Sequence, residues 1–202
     1  MADRVFIVRH GETEWSLSGR HTGRTDLPLT ERGRERASEL KPLLAGHPFS
    51  LVLCSPLLRA RETCELAGFG GVAELDDDLH EWDYGDYEGL TTAEIRAQRP
   101  DWDLWRDGCP NGETPDEIQV RADRVLARLR AADVEALAFA HGHILRVLSA
   151  RWIELAARGG ARFELSAGAI GVLGHERETA TISEWNLTPD YAAERTRTST
   201  TK

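Results

Sequence analysis

The sequence predicts an α/β fold, a three-layer sandwich in which a mostly parallel central sheet is flanked by helices. Two observations support this class. Apolar runs of strand length alternate with segments of helical spacing over residues 4–66 and again over residues 134–155. Three of the apolar runs are also followed, directly or within five residues, by charged or imidazole side chains. In a parallel sheet such strand ends lie at one edge, where ligands commonly bind.

Two strand–helix units are predicted in the N-terminal part of the chain. In chain order they are a strand over residues 4–8, a helix over 30–46, a strand over 50–55 and a helix over 55–66. Thr30 favours a helix start, because its hydroxyl can accept a hydrogen bond from the first turn, and Gly46 favours the end of that helix. Ser55 and Pro56 open the second helix, since proline is tolerated in a first turn.

The C-terminal part adds a third unit and two late strands. The predicted elements are a strand over residues 134–140, a helix over 142–155, and strands over 169–174 and 180–185. From residue 189 the sequence has no apolar period, which is typical of a flexible tail. We therefore expect one domain over residues 1–188 and a flexible tail over 189–202.

Composition and charge limit the classes of partner. Of the 202 residues, 41% are hydrophobic and 29% charged, and the formal net charge is −9. An acidic chain is repelled by nucleic-acid phosphates, and no apolar run approaches the length of a membrane span. The N-terminus lacks a secretory signal pattern, and three widely spaced cysteines fit reduced thiols. We expect a cytoplasmic monomer or homodimer that binds neither nucleic acid nor membrane.

Three predicted strands end next to arginine, histidine or serine side chains, and together these strand ends predict an anion site. They are Arg9-His10-Gly11, the segment from Ser55 to Arg59, and His141-Gly142-His143. Two histidines and two arginines at helix N-termini would combine guanidinium charge with backbone N–H donors. A phosphoryl group fits best, because its charge spreads over three oxygens and uses several donors.

Two further roles follow from phosphoryl chemistry. A nucleophilic histidine needs one unprotonated ring nitrogen, which requires the other N–H to be donated to a fixed acceptor such as a backbone carbonyl. A leaving alkoxide needs a general acid, for which we expect a carboxyl with a raised pKa. The segment after residue 76 offers four such acids, and composition does not choose among Glu81, Asp83, Asp86 and Glu88.

Metal and cofactor sites are not predicted. His141 and His143 could ligate a metal, but no cysteine or acid stands at a spacing that would complete the site. No glycine-rich nucleotide-binding motif occurs in the chain. Cys54 and Arg59 resemble part of a cysteine-phosphatase loop, but the glycines that would cradle a phosphate are missing between them.

Four ordered motifs resemble those of the histidine phosphatase superfamily, also called phosphoglycerate mutase-like. They are RHGETEW, SPLLRARET, HEWDYGDYEG and AHGH, within residues 5 to about 174. The resemblance implies an α/β fold of the phosphoglycerate mutase type and a phosphohistidine intermediate, with no metal or other cofactor. It implies that His10 takes the phosphoryl group, that Arg9, Arg59 and His141 bind it, and that Glu81 protonates the leaving oxygen and then activates water.

The resemblance also indicates a substrate class. It favours substrate contacts from Ser16, Thr22, Gly23, Gly142 and Arg146. Ser16 departs from the asparagine usual in mutases, and the segment after the acid is shorter than the mutase insertion, so a hydrolase is favoured. The motifs look most like those of sedoheptulose-1,7-bisphosphatases and small acid phosphatases, which implies a small phosphorylated metabolite such as a sugar phosphate or bisphosphate. The alternatives are a cofactor-dependent phosphoglycerate mutase and a non-catalytic phospholigand-binding module.

Overall fold

A six-stranded sheet lies at the centre of the computed structural model, which describes residues 2–190. The strands are β1 Arg4–Arg9, β2 Phe49–Cys54, β3 Glu74–Leu75, β4 Glu135–Ala140, β5 Ile170–Glu176 and β6 Thr179–Leu187. Their order across the sheet is β3-β2-β4-β1-β5-β6. The first four strands in this order are parallel, and β5 and β6 are antiparallel to their neighbours. The predicted mostly parallel sheet is confirmed.

Helices cover both faces of this sheet. They are α1 Glu14–Ser18, α2 Glu31–Leu44, α3 Leu58–Leu66, α4 Thr92–Gln98, α5 Leu104–Asp107, α6 Pro115–Arg130 and α7 Gly142–Trp152. Side chains alternate along β1: Phe6 and Val8 pack with α2 and α3, whereas Val5 and Ile7 pack with α6 and α7. Two apolar layers therefore sandwich the sheet, as the three-layer prediction required.

The register of β1, β4 and β2 brings the three strand ends that carry the predicted site residues to the same edge of the sheet. Arg9 at the end of β1 lies opposite Ala140 at the end of β4, and Cys54 at the end of β2 lies opposite Phe139. The next residues continue the ladder, because the His10 amide donates to the Ala140 carbonyl over 2.9 Å. His10, Ser55 and His141 therefore leave the sheet side by side.

Several boundaries differ from the prediction. α3 begins at Leu58, because Leu57 is still extended, with φ −68° and ψ 139°. α7 ends at Trp152, three residues earlier than expected. The long helix α6 was not among the predicted elements, although Thr114 and Glu117 form a capping box around Pro115 at its start. That capping box is the sequence signal that would have revealed it.

Two further points concern the ends of the chain and membranes. The predicted flexible tail falls outside the described residues from residue 191 onward. No helix within residues 2–190 combines the length and the apolar character needed to cross a membrane.

Candidate active site

A cavity of about 190 Å³ opens at the carboxyl edge of the parallel strands. Seven of the predicted site residues line it: Arg9, His10, Ser16, Thr22, Glu81, Gly142 and Arg146. A larger cavity of about 520 Å³ beside α3 is lined by Cys54, Arg61, Cys64 and the glycines that follow the helix. The smaller cavity is the better candidate, because it holds the convergent histidine, arginine and carboxylate groups.

His10 presents one free ring nitrogen to this cavity. Its Nδ1 lies 2.7 Å from the Gly11 carbonyl oxygen, so Nδ1–H donates to that carbonyl and Nε2 keeps its lone pair. Burial, together with the positive charges of Arg59 and Arg9, holds the pKa of His10 well below its usual value of 6.5. The imidazole is therefore neutral near pH 7, which is the state a histidine nucleophile requires.

Gly11 allows the backbone that follows His10 to pack closely against helix α2. A Cβ on Gly11 would lie 2.6 Å from the carbonyl oxygen of Gly33 in α2. The Gly11 amide donates to the Thr63 hydroxyl over 3.0 Å. The segment after His10 is thus held tightly against α2 and α3, and only glycine fits there.

Arg9 holds a donor that no protein group uses. Its guanidinium donates through Nη1 to the Leu165 carbonyl, while Nε is the one buried side-chain nitrogen or oxygen without a partner among residues 2–190. A Cβ at Gly142 would lie 3.4 Å from Arg9 Nε and Cζ, so glycine lets the guanidinium lie against the first turn of α7. Burial lowers the pKa of Arg9, and the charge of Glu81 partly offsets this effect. An unpartnered buried N–H beside a cavity marks a place for an anionic ligand.

Arg59 and His141 lie behind His10. Arg59 Nε donates to His141 Nδ1 over 3.1 Å, so His141 carries its proton on Nε2 and donates it to the Ser55 hydroxyl over 2.7 Å. The ring centroids of His10 and His141 are 5.1 Å apart. Burial and the charge of Arg59 hold the pKa of His141 well below its usual value. Both residues are fully buried, and Arg59 supplies the positive charge while His141 is neutral. Phosphoryl contact by either residue stays a prediction.

Glu81 caps helix α7. Its Oε1 accepts from the amides of Trp82 and Ile144, and its Oε2 accepts from the amide of His143, each over 2.9 Å. Burial alone would raise the pKa of this carboxyl, but hydrogen bonding and charge from His143 hold it well below its usual range. The expected raised pKa is therefore wrong, because the first turn of α7 stabilises the carboxylate form.

The other candidate acids have different partners. Glu88 accepts from the amides of Gly23 and Thr25, and so holds the loop that carries Thr22. Asp83 accepts from the amide of Gly85, and Asp86 accepts from the Asn111 side chain. Of the four acids, Glu81 is the one that lines the cavity.

Gly23 follows Thr22 in the same loop but does not line the cavity. Its amide is bound by Glu88, and its carbonyl and that of Thr22 accept from Arg59 Nη2 over 3.0 and 3.1 Å. Substrate contact by Gly23 stays a prediction, as does contact by Ser16, Thr22, Gly142 and Arg146, which line the cavity.

Six lining residues were not among the predicted contacts: Gly19, Arg20, His21, Tyr84, His143 and Leu165. The Tyr84 hydroxyl lies 2.6 Å from His143 Nδ1, and the His21 ring lies 4.7 Å from the Tyr84 ring. Burial, with a smaller effect from His143, lowers the pKa of His21 to about 4. Tyr84 stands three residues after Glu81, and His143 belongs to the strand-end motif, so both motifs contained a signal for them.

Within the described part of the chain, no three His, Cys, Asp or Glu side chains lie close enough together to hold a metal ion. His141 and His143 bond to different partners, the first to Ser55 and the second to Tyr84.

Comparison with protein families agrees with this geometry. The model described as histidine phosphatase superfamily (branch 1) matches residues 5–188. The chain belongs to this superfamily. It is a histidine phosphatase, as the four sequence motifs predicted.

Individual relatives are similar over most of this histidine phosphatase. It is 41% identical to an acid phosphatase of Mycobacterium tuberculosis, over 92% of this chain and 93% of the relative. It is 40% identical to sedoheptulose 1,7-bisphosphatase of Saccharomyces cerevisiae, over 77% of this chain and 69% of the relative. The solved structure of an open reading frame from Mycobacterium tuberculosis superposes with a TM-score of 0.89 at 38% identity, covering 94% of this chain and all of the other. The predicted fold and branch are confirmed.

Proposed function

We propose that this histidine phosphatase hydrolyses a small phosphorylated sugar through a phosphohistidine at His10. The observation that carries the proposal is the neutral Nε2 of His10, which faces a cavity where Arg9 Nε has no protein partner. In the first step Nε2 attacks phosphorus in line with the leaving oxygen, forming an N–P bond as the P–O bond breaks. Arg9 donates to a phosphoryl oxygen, Arg59 adds positive charge from below, and His141 bonds to Arg59 and Ser55 and so fixes their positions.

Glu81 supplies the proton in this scheme. The hydrogen bonds at the start of α7 favour the ionised carboxyl, but a phosphoryl anion beside it raises its pKa through like-charge repulsion. A phosphomonoester monoanion brings the proton with it, since the second phosphate pKa is about 6. Glu81 then passes this proton to the leaving oxygen, and in the second step accepts one from the water that attacks the N–P bond. Inorganic phosphate leaves, and His10 returns to its neutral form.

The substrate class rests on the size of the cavity, its charge and the named relatives. About 190 Å³ accommodates a small metabolite rather than a polymer. Arg146 lines the cavity with Nε and Nη2 bound to the carbonyls of Gly160 and Ala161, and its guanidinium lies 4.6 Å from the Trp105 ring. This fixed cation suits a second anionic or hydroxyl-bearing part of the substrate. An acid phosphatase and a sugar bisphosphatase among the relatives support the same class.

The proposed phosphohistidine is distinguished from a phosphate ester by its lability in acid and its stability in base. Substrate labelled with ³²P is mixed with enzyme and quenched in base, and the labelled peptide is mapped by mass spectrometry. We expect a base-stable, acid-labile label on His10, its loss in His10→Ala, and a fall in turnover of at least about 10³-fold. His175→Ala is the matched control, because His175 is exposed on β5. A label on another residue, or substantial turnover by His10→Ala, would refute the proposal.

Substrate panels separate the alternatives. Purified enzyme is assayed for phosphate release from phosphorylated metabolites between pH 5 and 8, and for interconversion of phosphoglycerates with added 2,3-bisphosphoglycerate. We expect hydrolysis of sugar phosphates to dominate. Interconversion would identify a mutase, and absence of turnover on every substrate would identify a binding module. The cytoplasmic location and the choice between monomer and homodimer stay predictions.

A further inference from the structure

Arg121 of α6 is a buried cation outside the cavity. Its exposure is 9%, and it binds the main chain that carries Glu81. Nη1 donates to the carbonyls of Asp78 and His80 over 2.6 and 2.9 Å, and Nη2 reaches the Glu81 carbonyl at 3.4 Å. Three carbonyls of one short segment thus converge on a single guanidinium. Without it these carbonyls would lose their shared donor in a largely buried place.

Glu113 completes the arrangement from the other side. Its two carboxylate oxygens accept from Arg121 Nε and Nη2 over 2.6 and 2.7 Å, a bidentate pair. Glu113 Oε2 also accepts from the Asp83 amide, and the Glu113 carbonyl accepts from Trp82 Nε1, both over 2.9 Å. The ion pair therefore holds the chain immediately before and immediately after Glu81.

A buried ion pair is weak evidence for stabilisation, because removing two charges from water costs about as much as their attraction returns. The specific effect here is geometric. The Glu81 carboxylate bonds to the first turn of α7, while its backbone bonds to α6 through Arg121. Both attachments together set the distance of the carboxyl from the cavity, and a shift of about 1 Å in such a group can cost about 100-fold in rate.

We propose that Arg121, with Glu113 as its counter-ion, is a positioning residue that holds Glu81 in place to protonate the leaving oxygen. The proposal rests on the proposed role of Glu81. It assigns Arg121 no contact with substrate. It predicts that loss of Arg121 impairs proton donation more than phosphoryl transfer itself.

Arg124 provides a matched control on the same helix. It stands one turn after Arg121 and pairs with the Asp78 carboxylate over 2.6 and 2.7 Å, in the same segment. Its side chain is 55% exposed, however, and its bonds go to the Asp78 side chain rather than to the main chain beside Glu81. An exposed pair of this kind contributes little, so Arg124→Met removes a cation of α6 without releasing the Glu81 backbone.

The experiment compares two leaving groups. p-Nitrophenol leaves as a stable anion and needs little protonation, whereas the glycerol of glycerol 2-phosphate must be protonated as it leaves. In a two-step phosphatase kcat/KM reports the first irreversible step, here the transfer to His10. We expect Arg121→Met to lower kcat/KM for glycerol 2-phosphate at least about tenfold more than for p-nitrophenyl phosphate. Glu81→Gln should show the same split more strongly, and Arg124→Met should show none.

Equal losses on both substrates, or no loss, in a folded Arg121→Met protein would overturn the proposal, because a merely structural role does not distinguish leaving groups. Glu113→Gln is the second variant if Arg121→Met does not fold. It keeps the shape of the pair and should show the same split, so uniform behaviour there also overturns the proposal. If Glu81→Gln itself shows no split, the proposed acid role of Glu81 fails instead.

Discussion

The two ends of the β1–β4 strand pair carry the same kinds of side chain in opposite states. At the amino ends, Arg4 lies opposite Glu135, and His47 lies beside them. Glu135 is buried, and its two oxygens are taken by Arg4 Nε over 2.8 Å and by His47 Nδ1 over 3.0 Å. The positive and acidic groups at this end neutralise one another directly.

The carboxyl ends contain arginine, histidine and glutamate as well, but among the described residues neither Arg9 nor Arg59 forms an ion pair with a carboxylate there, and the nearest such pair is His143 with Glu81 at 3.7 Å. The Glu81 oxygens are occupied by the amides at the start of α7, and Arg9 Nε has no partner. Arg59 bonds to carbonyls and to His141. The buried Arg9 guanidinium is therefore not bonded to any carboxylate within residues 2–190, which favours an anionic ligand at this edge. Residue type alone does not distinguish a stabilising cluster from a functional one, whereas the presence of an unused donor does.

Of the predictions that test the contrast between the two strand ends, Arg9→Met has the largest expected effect. We expect kcat/KM for p-nitrophenyl phosphate to fall about 10- to 150-fold, since a charge-assisted hydrogen bond is worth about 1.5–3 kcal/mol. The free energy of unfolding should stay equal or rise, because the variant removes a buried guanidinium that is bonded to no carboxylate that the structure describes. Steady-state kinetics and urea unfolding measure the two quantities. An Arg9→Met protein that is less stable but fully active would contradict the prediction, because it would show that Arg9 stabilises the fold and does not support activity.

Arg4→Met should show the opposite pattern. It leaves the buried Glu135 carboxylate with His47 alone, so we expect a loss of about 1–2 kcal/mol in unfolding free energy, kept small because Arg4 is half exposed. The value of kcat/KM should stay within about twofold of the parent, since Arg4 lies at the opposite end of β1 from the active site and shares no partner with it in the described chain. A tenfold fall in activity without unfolding would show that the ends are coupled.

The smallest expected effect is the pH response of the carboxyl-end histidines. Burial and Arg59 lower the pKa of both His10 and His141, so both rings should remain neutral at pH 5.5, where an ordinary histidine of pKa about 6.5 is mostly protonated. The unfolded chain then binds protons that the folded protein does not. Each ring therefore lowers stability by at most about 1.4 kcal/mol per pH unit as the pH falls below about 6.5.

NMR of the ring ¹⁵N and Cε1–H resonances measures these titrations directly, with His10→Ala used to assign the first ring. Protonation of His10 with a midpoint near 6.5 would contradict the expectation. It would also remove the basis for a nucleophile that is ready at mildly acidic pH.

Residues that directly follow a strand were the most predictable part of the site. Arg9, His10 and His141 stand next to apolar runs that the sequence shows clearly, and parallel strands end at a common edge. The tautomer of His10 needed no more than a nearby carbonyl, which its own neighbour Gly11 supplies. Local order along the chain is sufficient for such inferences.

Glu81 was harder, because it lies in an irregular segment with three other acids. The residues alone left the choice open, and family resemblance favoured Glu81. The structure adds that Glu81 lines the cavity while Glu88 holds the loop of Thr22. The raised pKa expected of a general acid was wrong, because the amides of α7 that stabilise the carboxylate come from a part of the chain more than sixty residues away.

The amino-acid order was thus sufficient to predict five of the six strands, the three helices α2, α3 and α7, and the strand-end motifs, since each depends on neighbours a few residues apart. Packing of distant segments sets the rest: which acid reaches the cavity, which arginine keeps a free donor, and how Arg121 of α6 grips the backbone of Glu81. Those properties depend on burial and on partners from other elements. Periodicity and composition carry no record of such partners, and folding brings them together.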